Sequence, residues 1–537
     1  MSISVGSRRA VLISGGVRIT GVAQVGQVLM TRAPATWSVG GVAKAFLAPS
    51  TSYVPVPGDV GKSITATIAG VTSDPTAAVI DAPLPVFNPT LPYGARTGIL
   101  ADSIGQQNAQ GVSRSGDATQ GGAISRATGE ITQALALDPR INAINWYDQN
   151  KGTGTSRFTD GSDQGVNGQT STQIAARVSD LVARNVQLGI VAMGTNNTTQ
   201  ASIILADIAT AVSALRAAGA AAIVATIRPN ALANESVNRS KANIQAINAS
   251  IRSYVAGLND PLVKLWDAYK QYDRGDGYID PLDTYDRLLH PNEAGAELGA
   301  WGASASSLSP YSLVAAIRSL VQPGDVYADL MAANPNVIVN PTLTGAAGTL
   351  GAGFTGVAPT SWRWEPQSAV ASTVAVSVLP NAATGGQSAK AVITPSGSAA
   401  YERINFRIAA YNQNVSNLGG KWARLFAEVE TDGTPWLMAP SVILTEVDTA
   451  TAYQSGIGFQ PSLNVGAGNY YSALRPVARR RLIMSEPVLL GPNATALSPS
   501  VQFAFMPAGA TGTASVYVHR TWMATVPDPR PAWGVSV

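Results

Sequence analysis

Thr97-Gly-Ile-Leu-Ala-Asp-Ser-Ile-Gly105 reads as the end of a short buried strand and the sharp turn that leaves it. The same grammar repeats downstream. Apolar runs at Ile141–Trp146, Leu188–Met193, Ala221–Ile227 and Leu262–Trp266 alternate with Thr172–Arg184, Ser202–Ala217 and Ser236–Ala256, which carry apolar residues at i, i+3 and i+4. Pro229, Asn230 and Asn234-Glu235 separate the fourth run from its helix. Five strands with helices between them predict a parallel, doubly wound three-layer sandwich over about residues 91–322. Ligands in such sheets sit beyond the carboxyl ends of the strands. Asp102-Ser103, Gly194-Thr-Asn196-Asn197 and His290-Pro-Asn292 lie in that kind of position and offer a hydroxyl, an amide and an imidazole.

Outward from this block the period changes. Residues 1 to about 88 alternate with period two, as in Val17-Arg-Ile-Thr-Gly-Val and Ser63-Ile-Thr-Ala-Thr-Ile, between Gly, Pro, Ser and Asp turns. From 323 a loop-rich stretch (Asn334-Pro-Asn, Asn340-Pro-Thr-Leu-Thr-Gly, Gly345–Gly356) leads into strand candidates Thr373–Leu379, Ser388–Thr394, Arg403–Ile408, Arg424–Glu430, Ser500–Phe505, Ser515–Arg520 and Thr521–Val526. That spacing predicts a β-sandwich or jelly roll. The chain thus divides into 1–88 (all-β), 89–322 (α/β) and 323–537 (all-β), as a 537-residue length requires.

Composition removes several functions. Charged residues are 13% of the chain and the net charge is +3, with the two signs interspersed, so no clustered basic face for nucleic acid is expected. The densest basic run, Arg479-Arg480-Arg481, reads as a solvated strand edge. There is no cysteine, and the two histidines, His290 and His519, lie far apart, so neither a metal site nor an organic cofactor is implied. Gly61-Lys62-Ser63 lacks the glycine of a phosphate loop, since Val56 stands there, and no strand–helix pair flanks the glycines of 345–356. The N-terminus has too short an apolar run for a secretory signal, and Asp207 and Arg216 interrupt the most apolar region, Ala201–Thr226, so no membrane insertion is expected.

Nucleophilic serine chemistry needs an exposed hydroxyl at a turn, a base and oxyanion donors. Ser103 supplies the first, and with two histidines in the chain His290 is the natural base. Gly165-Val-Asn-Gly168-Gln-Thr opens a helix where a glycine N–H could approach an oxyanion, and Asn196 follows a strand where its amide could add a donor.

Asp102-Ser103, Gly168 in its Gly-x-x-Gly-x-Thr setting, Gly194-Thr-Asn196 and Leu289-His290-Pro-Asn292-x-x-Gly295-Ala resemble, in order, the four blocks of the SGNH (GDSL-type) esterase family. The resemblance covers about 91–322 and implies a five-stranded, flavodoxin-like parallel sheet. It also implies Ser103 as nucleophile, His290 as base, and an oxyanion hole made by the Ser103 and Gly168 N–H groups with the Asn196 side chain. The chain departs from the family at three places. Ala101 replaces the first glycine, Asn197 replaces an aspartate, and Arg287 stands where the triad acid is expected, three residues before the histidine. A local bulge would bring Asp286 to His290 Nδ1; a backbone carbonyl orienting the imidazole is the alternative.

An α/β-hydrolase would share the order Ser…Asp…His, but here the serine follows the first strand and the acid adjoins the histidine. A glycosidase would use paired carboxylates; Asp276, Asp280, Asp283 and Asp286 cluster in a loop instead. The first 88 residues, with Val25-Gly-Gln-Val-Leu, Ala35-Thr-Trp37 and Asp59-Val-Gly-Lys-Ser-Ile-Thr-Ala-Thr-Ile, resemble immunoglobulin-like repeats of phage and bacterial surface proteins. The C-terminal unit, with Trp362-x-Trp364, is similar to carbohydrate-binding jelly rolls of phage tails. These resemblances imply a phage tail or spike esterase, located in the virion and acting outside the host cell. Its partners would be a bacterial surface polysaccharide (capsule or O-antigen) bearing O-acetyl groups and other tail proteins, in an assembly that could be a homotrimer. A secreted bacterial carbohydrate esterase and a non-catalytic glycan-binding spike are the alternatives.

Overall fold

The computed structural model describes residues 17–535 apart from 26, 28, 45–48, 56–58, 81–86, 88, 109–110, 113–123, 127–128, 149–160, 285, 287, 304–306, 368–369, 399–401, 410–412, 415–416, 435, 438–439, 448–451 and 459–478. Its centre is a parallel sheet of five strands: β1 (Ala95–Ala101), β2 (Asp163–Gly165), β3 (Leu188–Ala192), β4 (Ala221–Ala225) and β5 (Val263–Trp266). Their order is β2-β1-β3-β4-β5, and Ile141–Asn142 adds a short parallel pairing at the start of β1. This is the flavodoxin-like order, in which the chain reverses direction around β1.

Alternation along each strand feeds two cores. Ile99, Ile190 and Ile223 join Ile131 and Leu313–Ile317 on one face. Leu100, Val191 and Val224 join Ile204, Ile208 and Leu215 of the helix Ala201–Ala217 and Ile244, Ile247 and Ile251 of the helix Lys241–Leu258 on the other. Both sheet faces are therefore covered, which is why these strands are nearly continuous apolar runs. Truncating a buried isoleucine such as Ile223 to alanine would cost about 2–5 kcal/mol.

Two expectations are corrected here. Ile141–Trp146 is not a full strand; only its first two residues pair with β1, Asn145 makes an isolated bridge to Gly161, and the edge beside β1 belongs to Asp163–Gly165. The helix after β4 starts at Lys241 rather than Ser236, because Ser240 caps it by accepting the Asn243 N–H at 3.1 Å. The five residues before it include a separate 3-10 turn, Val237–Arg239.

The N-terminal unit is a small antiparallel sheet built on Leu29–Val39, with Leu29, Trp37, Tyr53 and Ile64 at its core. The C-terminal unit has two sheets packed on one core. Trp362–Pro366, Glu402–Ile408, Ser441–Val447 and Ala496–Phe505 lie in one sheet. Thr373–Asn381, Gly386–Thr394, Trp422–Thr431, Arg479–Met484 and Ala514–Val526 lie in the other. Trp362 and Trp364 are fully buried and flank Phe406 at 4.7 and 4.8 Å between ring centroids, so neither is presented to a sugar.

The α/β and C-terminal units interlock. Tyr147–Asp148 pairs with Val488–Leu489, and Ile124–Arg126 pairs with Gly456–Gly458. The arginine run at 479–481 is solvated only in part: Arg480 is exposed and Arg481 is not. Strand alternation turns Arg480 to Glu428 at 2.6 Å and Arg481 inward, where it is buried against Glu297 of the α/β unit at 3.2 Å. Among the described residues no helix is long and apolar enough to cross a membrane.

Candidate active site

The carboxyl ends of β2, β1 and β3 finish level with one another: Ala101 lies opposite both Gly165 and Ala192. Ser103, Gly168 and Asn196 follow these three ends, so the register of the sheet brings their loops side by side. Arg177 clamps two of them from outside, donating to the carbonyls of Gln164 (2.5 Å) and Ala101 (3.2 Å) and to Gln169 Oε1 (2.8 Å).

The serine turn is set by local chemistry. Asp102, itself buried, accepts the Ile104 N–H on Oδ1 at 3.0 Å and starts the turn. Gly105 is needed next, because a Cβ there would stand 2.2 Å from that of Ala101. Ala101 in place of the family's glycine therefore leaves Gly105 as the residue that makes room. Ser103 is 8% exposed.

His290 Nε2 lies 2.9 Å from Ser103 Oγ, and His290 Nδ1 lies 2.5 Å from Asp286 Oδ2. The acid is four residues before the histidine, and the reason is visible in the backbone. Asp286 Oδ1 accepts the N–H groups of Leu288 (2.9 Å), Leu289 (2.8 Å) and His290 (3.1 Å), so the chain winds around the carboxylate and returns the imidazole to it. Arg287, at the position expected for the acid, lies outside the described residues. Burial pushes the Asp286 carboxyl up, but the hydrogen bonds from His290, Leu289 and Leu288 outweigh it and hold the group below its ordinary range. Asn292 fixes the other side of the loop: it caps the helix Glu293–Ala300 through the Gly295 N–H (2.9 Å) and donates to Leu282 O (2.7 Å).

Gly168 has φ +75°, the left-handed region that favours glycine, and a Cβ there would meet nothing within 4 Å. The Asn167 N–H donates to Gln106 Oε1 (2.8 Å) and the Thr170 N–H to Gln173 Oε1 (3.0 Å). Asn196 donates from Nδ2 to Gln169 O at 2.9 Å, beside Gly168. Asn197 is structural: it accepts the Ser171 N–H (3.1 Å) and donates to Ser171 Oγ (2.9 Å), pinning the start of the helix Ser171–Ala175.

All five residues expected from the sequence thus lie in neighbouring loops, and Ser103, His290 and Asp286 form one continuous hydrogen-bonded chain. Sequence reasoning missed two arginines, Arg177 and Arg239. Arg239 Nη2 donates to Asn196 Oδ1 at 2.7 Å. Burial pulls its guanidinium down, against the favourable charges of Asp102 and Asp286. Placing 236–256 in one helix hid it; the pair Ser236 and Ser240, each able to cap, was the available signal. The other members of the aspartate cluster are spoken for: Asp276 pairs with Arg274 (2.8 Å), Asp280 accepts the Leu282 N–H (2.9 Å), and Asp283 is buried.

Residues 145–298 match the GDSL-like lipase/acylhydrolase family. The matched span holds Gly168, Asn196, Asp286 and His290; Ser103 precedes it. Among solved structures, a GDSL-like lipase from Bacteroides thetaiotaomicron is similar over 25% of this chain and 69% of its own, at 23% identity and a TM-score of 0.23. Axe2, an acetylxylan esterase from Geobacillus stearothermophilus, aligns over 39% of this chain and 91% of its own, at 13% identity and a TM-score of 0.26. A carbohydrate-binding module of the β-sandwich superfamily aligns over 30% of this chain and 56% of its own, at 8% identity and a TM-score of 0.21. No curated protein sequence matches the chain.

Proposed function

We propose that the protein is a serine esterase that removes O-acetyl or similar short acyl groups from a bacterial surface polysaccharide. The observation that carries this reading is the unbroken Ser103–His290–Asp286 hydrogen-bonded chain at the carboxyl edge of the parallel sheet. His290 Nε2 takes the Ser103 proton as Oγ attacks the ester carbonyl. Asp286 holds Nδ1–H, and so the tautomer that leaves Nε2 able to accept. The negative oxygen that forms is met by the N–H groups of Ser103 and Gly168 and by Asn196 Nδ2. The imidazolium then protonates the departing sugar hydroxyl, and His290 activates water to release the acid from the acyl-serine. The histidine must be neutral to begin, since only a neutral imidazole can accept the Ser103 proton.

A sugar ester as substrate draws support from the rim. Asn167 and Gln169, on either side of Gly168, are uncharged, polar and at least partly exposed, the chemistry that meets sugar hydroxyls. The 1–88 and 323–537 units extend the proposal to a tail or spike component acting at the host surface, through their resemblance to phage surface modules. Capsule or O-antigen would then be the partner, along with other tail proteins or further copies of this chain.

The test is acetate release from purified capsular or O-antigen polysaccharides by wild type and Ser103→Ala. Release by wild type alone supports the reading. Equal release by both removes Ser103 from the chemistry, and glycan binding without release by either supports a non-catalytic spike.

A further inference from the structure

The turn Val237–Arg239 lies between β4 and the helix Lys241–Leu258, and three hydrogen bonds hold it on the site. Asn230 Nδ2 donates to Arg239 O at 3.0 Å. The Thr198 hydroxyl donates to Asn238 O, tying the turn to the loop that carries Asn196. Arg239 Nη2 then reaches Asn196 Oδ1 at 2.7 Å.

A carboxamide has two unlike ends, and the two neighbours of Asn196 read them differently. Gln169 O can only accept, and it takes Nδ2–H at 2.9 Å. The Arg239 guanidinium can only donate, and it takes Oδ1. Rotating the amide by half a turn would set carbonyl against carbonyl and NH₂ against guanidinium. Gln169 alone would leave Oδ1 unheld and the amide plane able to swing about its remaining bond. A charged donor on Oδ1 also withdraws electron density from the amide, which strengthens the remaining Nδ2–H as a donor.

We propose that Arg239 is a positioning residue that fixes the Asn196 carboxamide so that its second Nδ2 hydrogen is presented to the developing oxyanion. The inference rests on the esterase reading of the Ser103 site. Arg239 itself touches neither the serine nor the histidine in this scheme; it acts through Asn196.

The test is a double-mutant cycle on the full chain, with kcat and KM for 4-nitrophenyl acetate measured for wild type, Arg239→Met, Arg239→Lys, Asn196→Ala and Asn196→Ala/Arg239→Met, and melting temperatures recorded for each. Loss of an oxyanion donor costs about 10²–10³-fold in kcat, which is the fall expected for Asn196→Ala. Arg239→Met should lower kcat by about 10–100-fold with little change in KM, since the interaction it supports strengthens only in the transition state. Arg239→Lys should recover part of the loss, and the double variant should be no slower than Asn196→Ala. An unchanged kcat in Arg239→Met, a change in KM alone, or losses that multiply in the double variant would overturn the inference. A wild type without turnover counts against the esterase reading instead. A crystal structure of Arg239→Met then decides the inference: an Asn196 amide plane turned from its wild-type orientation upholds it, and Asn196 unmoved overturns it.

Discussion

The chain has two histidines, and both sit between a serine and a carboxylate. His290 links Ser103 (2.9 Å) to Asp286 (2.5 Å) in the α/β unit. His519 links Ser388 (2.7 Å) to Glu430 (3.0 Å) in the C-terminal unit. The groups are nearly the same, and the settings differ in every respect that matters for acyl transfer. Ser103 stands at a turn after a strand, with the Gly168 and Asn196 loops alongside. Ser388 lies within the strand Gly386–Thr394, opposite Leu379 in the ladder, and its hydroxyl also accepts from Asn381 Nδ2 at 3.0 Å. His519 is the extra residue of a β-bulge, since Arg520 opposes Glu428 while Val518 opposes Val429. The imidazole is also reversed there, with Nδ1 rather than Nε2 toward the serine. A hydrogen-bonded trio is therefore not by itself an acyl-transfer site. What distinguishes the two is the turn that carries Ser103 and the Gly168 and Asn196 loops beside it, which the proposed mechanism uses as oxyanion donors.

The sharpest way to break this comparison is to remove each serine. Ser103→Ala should lower ester turnover by about 10⁴-fold or more, leaving only the catalysis due to binding and the oxyanion donors. Ser388→Ala should leave it at the wild-type rate. Steady-state kinetics on both variants checks this, and a matching loss in Ser388→Ala would undo the distinction.

The acids come next. Asp286→Asn keeps the shape of the loop but no longer holds the required tautomer, and should cost about 10²–10⁴-fold in kcat. Glu430→Gln should cost nothing in kcat. The two pH–rate profiles would show the same contrast.

The smallest expected effect concerns stability. Burial, together with the nearby Arg480 charge, pulls His519 below its ordinary value, against the pull of Glu430 and Glu428. The unfolded chain therefore binds the proton more readily than the folded one. The contribution of His519 is complete above its unfolded pKa of 6.5 and is lost as pH falls from there through the lower folded value. His519→Gln should flatten the fall in melting temperature between neutral and mildly acidic pH without altering turnover. Calorimetry at several pH values would check it, and an unchanged slope would contradict the account of a buried neutral imidazole.

How much of this was legible in the sequence follows from the kind of signal each feature leaves. β1, β3, β4 and β5 are buried on both faces, so they announce themselves as apolar runs. β2 is a three-residue edge, Asp163-Gln-Gly165, with no apolar character, and it was invisible. Ser103, Gly168, Asn196 and His290 were readable because each sits at a punctuated strand end or helix start. Asp286 was readable only as one of several aspartates, since what singles it out is three backbone N–H groups converging on one oxygen. Arg177 left no pattern and Arg239 only the two capping serines around it, because both act across loops that only the folded sheet brings together. Trp362 and Trp364 have the commoner fate of a tryptophan, the core, where they stack on Phe406.

The central claim is that Ser103, and not merely a serine near a histidine, is the reactive residue. Treating the full chain with a fluorophosphonate, then digesting it and locating the adduct by mass spectrometry, tests this most directly. The expected result is one adduct per chain on the peptide containing Ser103, absent in His290→Ala. An adduct on Ser388, or none on Ser103 in the folded wild type, would contradict it.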